Sequence, residues 1–267
     1  VGGGSNRVIA AIARDRKRIL VFCLILMSPT TISILLGLTA AGANALGGAI
    51  IVQRDWHPKY LQYFIALGSG FMLGTALLEM LPESLKIAGG SAPLLVLAGY
   101  FLVHFFEHTV TSHFHFGHET HTEEFVRPHR VYPVMLGLVI HTFFDGIAIA
   151  SGFAVSNWLG WIIFLAVILH KMPEGFTASS VMLAAGRSRA TAWMASALLG
   201  VATLAGVLTV SFFSKSVIAG LPLSAGVTLY VAASDLIPEV NRKPDFRMAL
   251  AVFAGVGLLL VLQHFFH

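Results

Sequence analysis

Apolar runs of about 18 residues or more recur from Ile19 to the end of the chain, with short polar segments between them. Each is long enough to cross a hydrocarbon core of roughly 30 Å as a helix. The runs are continuous rather than alternating, so they predict helices and exclude a β-barrel. We read eight spans, at about 30–53, 60–82, 92–110, 131–153, 157–185, 190–213, 216–238 and 247–266. The first apolar run begins near Ile19. Up to Val52 it is too long for one ordinary span and too short for two, so Pro29 either kinks it or ends an interfacial segment. The predicted fold class is an all-α membrane protein, an eight-helix transmembrane bundle. Residues 1–29 form a basic N-terminal arm or an extra membrane segment, and residues 30–267 form the transmembrane domain.

Composition agrees with this pattern. Of 267 residues, 56% are hydrophobic and 11% charged, where a soluble domain carries about 25% charged residues. The net charge of +4 is spread over loops without an aromatic-interleaved basic stripe, which argues against a nucleic-acid partner. The single Cys23 excludes an intrachain disulfide framework and a CxxC metal site. Alternating the loops of the eight-span scheme puts Arg54, Lys59, Arg127, Arg130, Arg187, Arg189, Arg242, Lys243 and Arg247 on one side, and only Lys86 and Lys215 on the other. The positive-inside rule then places both ends of the eight-span core outside. The cluster Arg7, Arg14, Arg16, Lys17 and Arg18 opposes that placement, and an extra inserted segment between Ile19 and Pro29 would reconcile the two. The long connection at about 111–130 is cytoplasmic in this scheme. Its His113, His115, His118 and His121 are candidates for metal binding in the loop, with a solvated irregular connection as the plainer reading.

Ionisable residues at bilayer depth are few and grouped, and such residues are expensive and usually functional. His141 and Asp145 stand at i and i+4 in the fourth span, and His170 and Glu174 repeat the spacing in the fifth. Each pair occupies one helix face. Two facing helices would direct two imidazoles and two carboxylates at one point, a donor set suited to Zn, Fe or Mn rather than Ca or Mg. Met72 in the second span offers a soft ligand. Gly146 and Gly175 follow the two carboxylates and allow close helix approach. Pro173 leaves the Leu169 carbonyl without its helical donor.

The chain also echoes itself. His141-Thr142-Phe143-Phe144-Asp145-Gly146 returns 29 residues later as His170-Lys171-Met172-Pro173-Glu174-Gly175. Glu79-Met80-Leu81-Pro82-Glu83 returns as Asp235-Leu236-Ile237-Pro238-Glu239. In the eight-span scheme the members of each pair run in opposite directions, a signature of transporters with a midplane site.

The two histidine motifs, with the histidine-bearing loop between spans three and four, resemble the ZIP (Zrt/Irt-like) metal transporter family over most of the chain, from about residue 30. His141-x-x-x-Asp145-Gly146 resembles its fourth-span motif and His170-x-x-Pro173-Glu174-Gly175 its fifth-span motif. The resemblance implies eight core helices in a 3+2+3 arrangement with inverted repeats, of the bacterial type. It implies divalent metal uptake toward the cytoplasm through a multi-pass cell membrane protein, the bacterial inner membrane in this case, and a homodimer. It also implies that His141, Asp145, His170, Glu174 and Met72 form the main metal site and that Asp235 belongs to a neighbouring one. Two positions depart from the family pattern: Thr142 stands where Asn is common, and Lys171 where members with a two-metal centre carry Asp or Glu.

Lys171 is the one Lys or Arg placed in the interior of a span. Its ammonium is expected to occupy the place of a second metal and to bridge Glu174, Asp145 or Asp235. Three carboxylates and one ammonium sum to −2, which one divalent ion neutralises, so a single-metal site is expected. Metal is expected to enter near Glu79, bind at the central site, and leave past Asp235 after an elevator-type movement of spans one, four, five and six. Because the ligands bind metal only when deprotonated, affinity should fall at low pH. Zn2+ is the first candidate cargo, with Cd2+, Fe2+ and Mn2+ compatible with the same donors. An intramembrane zinc-dependent hydrolase and a metal-gated channel are the competing classes. The chain lacks HExxH and a serine in register with the motifs, so it is not expected to be an enzyme.

Overall fold

The computed structural model describes residues 28–53, 58–106, 109, 131–213, 217–241 and 245–266. Every regular element among them is helical: α1 (Pro29–Gln53), α2 (Pro58–Thr75), α3 (Leu81–Ala88), α4 (Ala92–Phe105), α5 (Val131–Val155), α6 (Asn157–Ala184), α7 (Arg189–Phe212), α8 (Val217–Tyr230), α9 (Ile237–Val240) and α10 (Phe246–Phe266). The N-terminal arm and the loop histidines His113, His115, His118 and His121 lie outside the described residues.

Seven helical stretches among the described residues are long and apolar enough to cross a membrane. One of them, Ile65–Phe105, has 41 residues. Straight, it would measure about 62 Å, roughly twice the hydrocarbon core. It is not straight. Gly89 adopts φ +55°, a conformation few other residues tolerate, and a 3-10 turn at Gly89–Ser91 separates α3 from α4. α1 starts at Pro29, as expected of a residue that suits a first helical turn. α6 starts where the Ser156 side chain accepts from Leu159 N–H, and α7 where Ser188 accepts from Thr191 N–H. Gly186, at φ +74°, closes α6: its N–H bonds Leu183 O, and Arg187 N–H bonds Met182 O.

The Glu79 and Asp235 echoes take the same unusual form. Ala76–Met80 links α2 to α3, and Val231–Leu236 links α8 to α9, each as a turn of π-helix. Each ends two residues before a proline, Pro82 or Pro238. A proline removes one backbone donor, and widening of the helix just before it accommodates the altered ladder.

α1, α5, α6 and α7 pack on one another, whereas α2 pairs with α10 and α4 with α8. The groups meet where α2 touches α6 and where α5 touches α8, and the Ser224 hydroxyl of α8 donates to the Phe144 carbonyl of α5 at 3.1 Å. α5 and α6 are largely enclosed, while α10 turns Phe253 and Leu260 outward. Helices that are apolar all round are buried in protein or lipid, and the exposed Leu and Phe rim of this bundle matches a lipid boundary.

Candidate metal centre

The 3.6-residue period carries the site. His141 and Asp145 project from one face of α5, and His170 and Glu174 from one face of α6. One ligand atom from each can be chosen so that all four lie within 4.8 Å of one another, and all four residues are buried. The His141 and His170 rings stand 5.5 Å apart, tilted by 37°.

A single oxygen organises the cluster. Asp145 Oδ2 lies 3.3 Å from His141 Nε2, 3.2 Å from His170 Nε2 and 2.6 Å from Lys171 Nζ. His170 Nδ1 is 2.9 Å from the Ala166 carbonyl, which can only accept. The proton of a neutral His170 ring therefore belongs on Nδ1, and the Nε2 lone pair faces Asp145. The Nε2 lone pair and the carboxylate oxygen, 3.2 Å apart, could both be ligands to one metal ion. Neither ring nitrogen of His141 makes a hydrogen bond among the described residues, although Asp145 Oδ2 lies 3.3 Å from Nε2.

Lys171 is wholly buried, so it does not snorkel to an interface. Its ammonium donates to Asp145 Oδ2 and Glu174 Oε2, each at 2.6 Å. These are two of the three carboxylates expected from sequence. Asp235 is buried in the π turn after α8. Thr142 donates from Oγ1 to Glu174 Oε1 at 2.6 Å and is also close to the Leu138 carbonyl. Asp145 and Glu174 therefore have one shared cation beside them, and Glu174 has a neutral donor on its other oxygen.

The two glycines that follow the carboxylates serve the site indirectly. A Cβ on Gly146 would lie 2.0 Å from the Thr203 carbonyl of α7, and one on Gly175 2.0 Å from the Asn44 carbonyl of α1. The close approach that they allow is not the one between α5 and α6. They instead seat those helices against α7 and α1, because the residue after a ligand points about 100° away around the helix. Met72 is wholly buried in α2, one turn beyond Gly68, whose Cβ would lie 3.6 Å from the Leu169 carbonyl beside His170.

Glu79 sits elsewhere, on a cavity of about 540 Å³ that Glu83, Lys86, Ser156 and His264 also line. Its Oε1 accepts from Trp158 Nε1 at 3.1 Å and from Gln263 Nε2 at 2.8 Å. Trp158 is 12 residues before His170, so the cavity is about 18 Å along α6 from the cluster. Sequence reasoning missed Trp158 and Gln263, which look like ordinary interfacial residues until the fold sets them beside Glu79.

The sequence profile of the family described as ZIP Zinc transporter matches residues 19–135 and 125–263. Zinc transporter ZIP13 of Danio rerio is 28% identical over 162 residues, covering 54% of this chain and 46% of that protein. Zinc transporter ZIP4 of Homo sapiens is 35% identical over 132 residues, covering 48% of this chain and 20% of that protein. Zinc transporter ZIP13 of Pongo abelii is 25% identical over 237 residues, covering 79% and 68%. The first two alignments thus span less than half of the relative's length. With both segments of the family profile together covering most of its length, the chain belongs to the ZIP zinc transporter family.

Proposed function

We propose that the chain carries divalent transition-metal ions, zinc first among them, across the membrane into the cytoplasm through one site made by His141, Asp145, His170 and Glu174. The observation that carries this reading is the convergence of four buried ligand atoms within 4.8 Å on two adjacent helices. Two imidazoles and two carboxylates match the tetrahedral preference of Zn2+. Cd2+, Fe2+ and Mn2+ are further cargoes compatible with these donors, and relatives of the chain are named as zinc transporters.

The site holds one ion. Lys171 sits between Asp145 and Glu174 as a fixed cation, so the space and charge a second ion needs are taken. Thr142 orients Glu174, and Met72 offers a further, soft donor from α2. His170 Nε2 and Asp145 Oδ2 lie 3.2 Å apart, and since such ligands bind metal only when deprotonated, binding releases any proton they carry.

Residues 30–267 act as the transport domain. The run from Ile65 to Phe105 contributes two of eight spans, turning at Gly89. Metal enters through the cavity at Glu79 and leaves past Asp235. The cluster lies wholly on α5 and α6, which pack with α1 and α7, so this four-helix group carries the ion as a unit against α2, α4, α8 and α10. The positive loop residues put the loop between α4 and α5 in the cytoplasm.

The test is uptake of Zn2+, Cd2+, Fe2+ and Mn2+ into proteoliposomes by the wild type, His141→Ala and Glu174→Ala. Saturable uptake that both substitutions abolish is expected. Undiminished uptake by either variant would remove the site from the route.

A further inference from the structure

Glu79 is held from two sides. Its Oε1 accepts from Gln263 Nε2 of α10 at 2.8 Å and from Trp158 Nε1 of α6 at 3.1 Å. The carboxylate belongs to the π turn Ala76–Met80 that follows α2. α2 pairs with α10, so the bond from Gln263 stays inside one helix group. α6 packs with α1, α5 and α7, so the bond from Trp158 crosses to the other group.

This crossing differs in kind from the one that Ser224 makes. There a neutral hydroxyl meets a backbone carbonyl, that of Phe144. Trp158 instead meets a carboxylate, and hydrogen bonds to an ionised group are about twice as strong as neutral ones. The indole N–H can only donate, so an acceptor must be found for it. Trp158 stands in the first turn of α6, just after the Ser156 cap. α6 runs as one helix from Asn157 to Ala184, so Trp158 rides on the same element as His170 and Glu174. If α6 shifts so that this 3.1 Å contact lengthens by about half an ångström, the bond is lost.

We propose that the Trp158–Glu79 hydrogen bond is a latch between the two helix groups. It holds the four-helix group in its present position, and the group moves only once the bond opens. The inference rests on the reading that this group carries the ion as a unit. Gln263 keeps the carboxylate with α2 and α10 when Trp158 leaves, so the acceptor is in place when the group returns. Trp158 lies about 18 Å along α6 from His170. It is therefore a positioning residue, acting on the movement rather than on the ion.

The experiment measures the distance between spin labels at Ala154→Cys of α5 and Phe265→Cys of α10, in a full chain carrying Cys23→Ser and reconstituted in liposomes. Both positions are exposed, and their neighbours Ser156 and His264 line the cavity at Glu79. The labelled protein is compared with the same protein bearing Trp158→Phe or Glu79→Gln, with and without Zn2+. Trp158→Phe keeps an aromatic ring and loses the N–H. It is expected to raise a second distance relative to the first by about tenfold or more, the effect of one hydrogen bond to a charged group on a two-state equilibrium. Zn2+ affinity should stay within about twofold. Glu79→Gln keeps an acceptor oxygen but not the charge, so a smaller shift in the same direction is expected; it carries the test alone if Trp158→Phe does not fold. If the unsubstituted labelled protein changes distance during Zn2+ uptake while both variants keep its proportions, the latch alone is refuted. A single fixed distance in every variant and condition, with uptake proceeding, would overturn both the latch and the moving-group reading. Loss of Zn2+ affinity in Trp158→Phe with unaltered distances would place Trp158 on the ion's path and overturn the latch.

Discussion

Replacing Lys171 by methionine tests the charge arrangement most directly. The ammonium lies 2.6 Å from Asp145 Oδ2 and 2.6 Å from Glu174 Oε2, with all three side chains buried. At an effective dielectric near 20, each contact has a gross attraction of about 6 kcal/mol. Desolvation offsets most of it, and removing one partner of a buried ion pair typically costs about 3–5 kcal/mol because the remaining charge is stranded. Lys171→Met strands two carboxylates at once, so metal-free protein should lose stability at the upper end of that range. A bound divalent ion supplies the missing positive charge. Zn2+ should therefore stabilise the variant more than the wild type, by an amount approaching the loss. Unfolding in detergent, with chelator and with saturating Zn2+, measures both quantities. If metal-free Lys171→Met is as stable as wild type, or if Zn2+ stabilises the two equally, Lys171 is not the internal counter-ion described here. Lys171→Asp extends the test: an added carboxylate in place of the cation should let a metal titration reach two ions per chain.

Thr142→Val keeps the shape of the residue but removes the hydroxyl bonded to Glu174 Oε1; Zn2+ affinity should fall about tenfold, the worth of one hydrogen bond to a charged group, and unchanged affinity in a competition titration would show that Glu174 holds its position unaided. Gly175→Ala puts a Cβ 2.0 Å from the Asn44 carbonyl, so α1 and α6 must separate; a loss of about 1–3 kcal/mol in stability is expected, together with weaker metal binding. Metal binding and uptake should decline as pH falls from about 8 to 5, because the histidine and carboxylate ligands bind metal only when deprotonated. A flat binding curve over the same interval would contradict imidazole ligation.

The first three of these outcomes depend on contacts that only the folded chain provides. Much of the fold was nonetheless legible in sequence. Continuous apolar runs dictate helices in lipid, since every backbone group must be satisfied within its own segment, and the ends of α1, α6 and α7 fall within a residue or two of those expected. The helix period likewise placed His141 with Asp145 and His170 with Glu174 before any tertiary contact was known, because i and i+4 share a face in any α-helix.

Tertiary structure decided the rest, since it depends on how the helices rotate about their axes and which neighbours they meet. Periodicity leaves both open for helices that are apolar all round. Thus Lys171 could have bridged any two of three acids, and packing chose Asp145 and Glu174. Gly146 and Gly175 turned out to seat α5 on α7 and α6 on α1. Trp158 and Gln263 converge on Glu79 from positions 79 and 184 residues away in the chain. The chain's local chemistry determined which groups can bind an ion; the way the helices dock determined which of them share one.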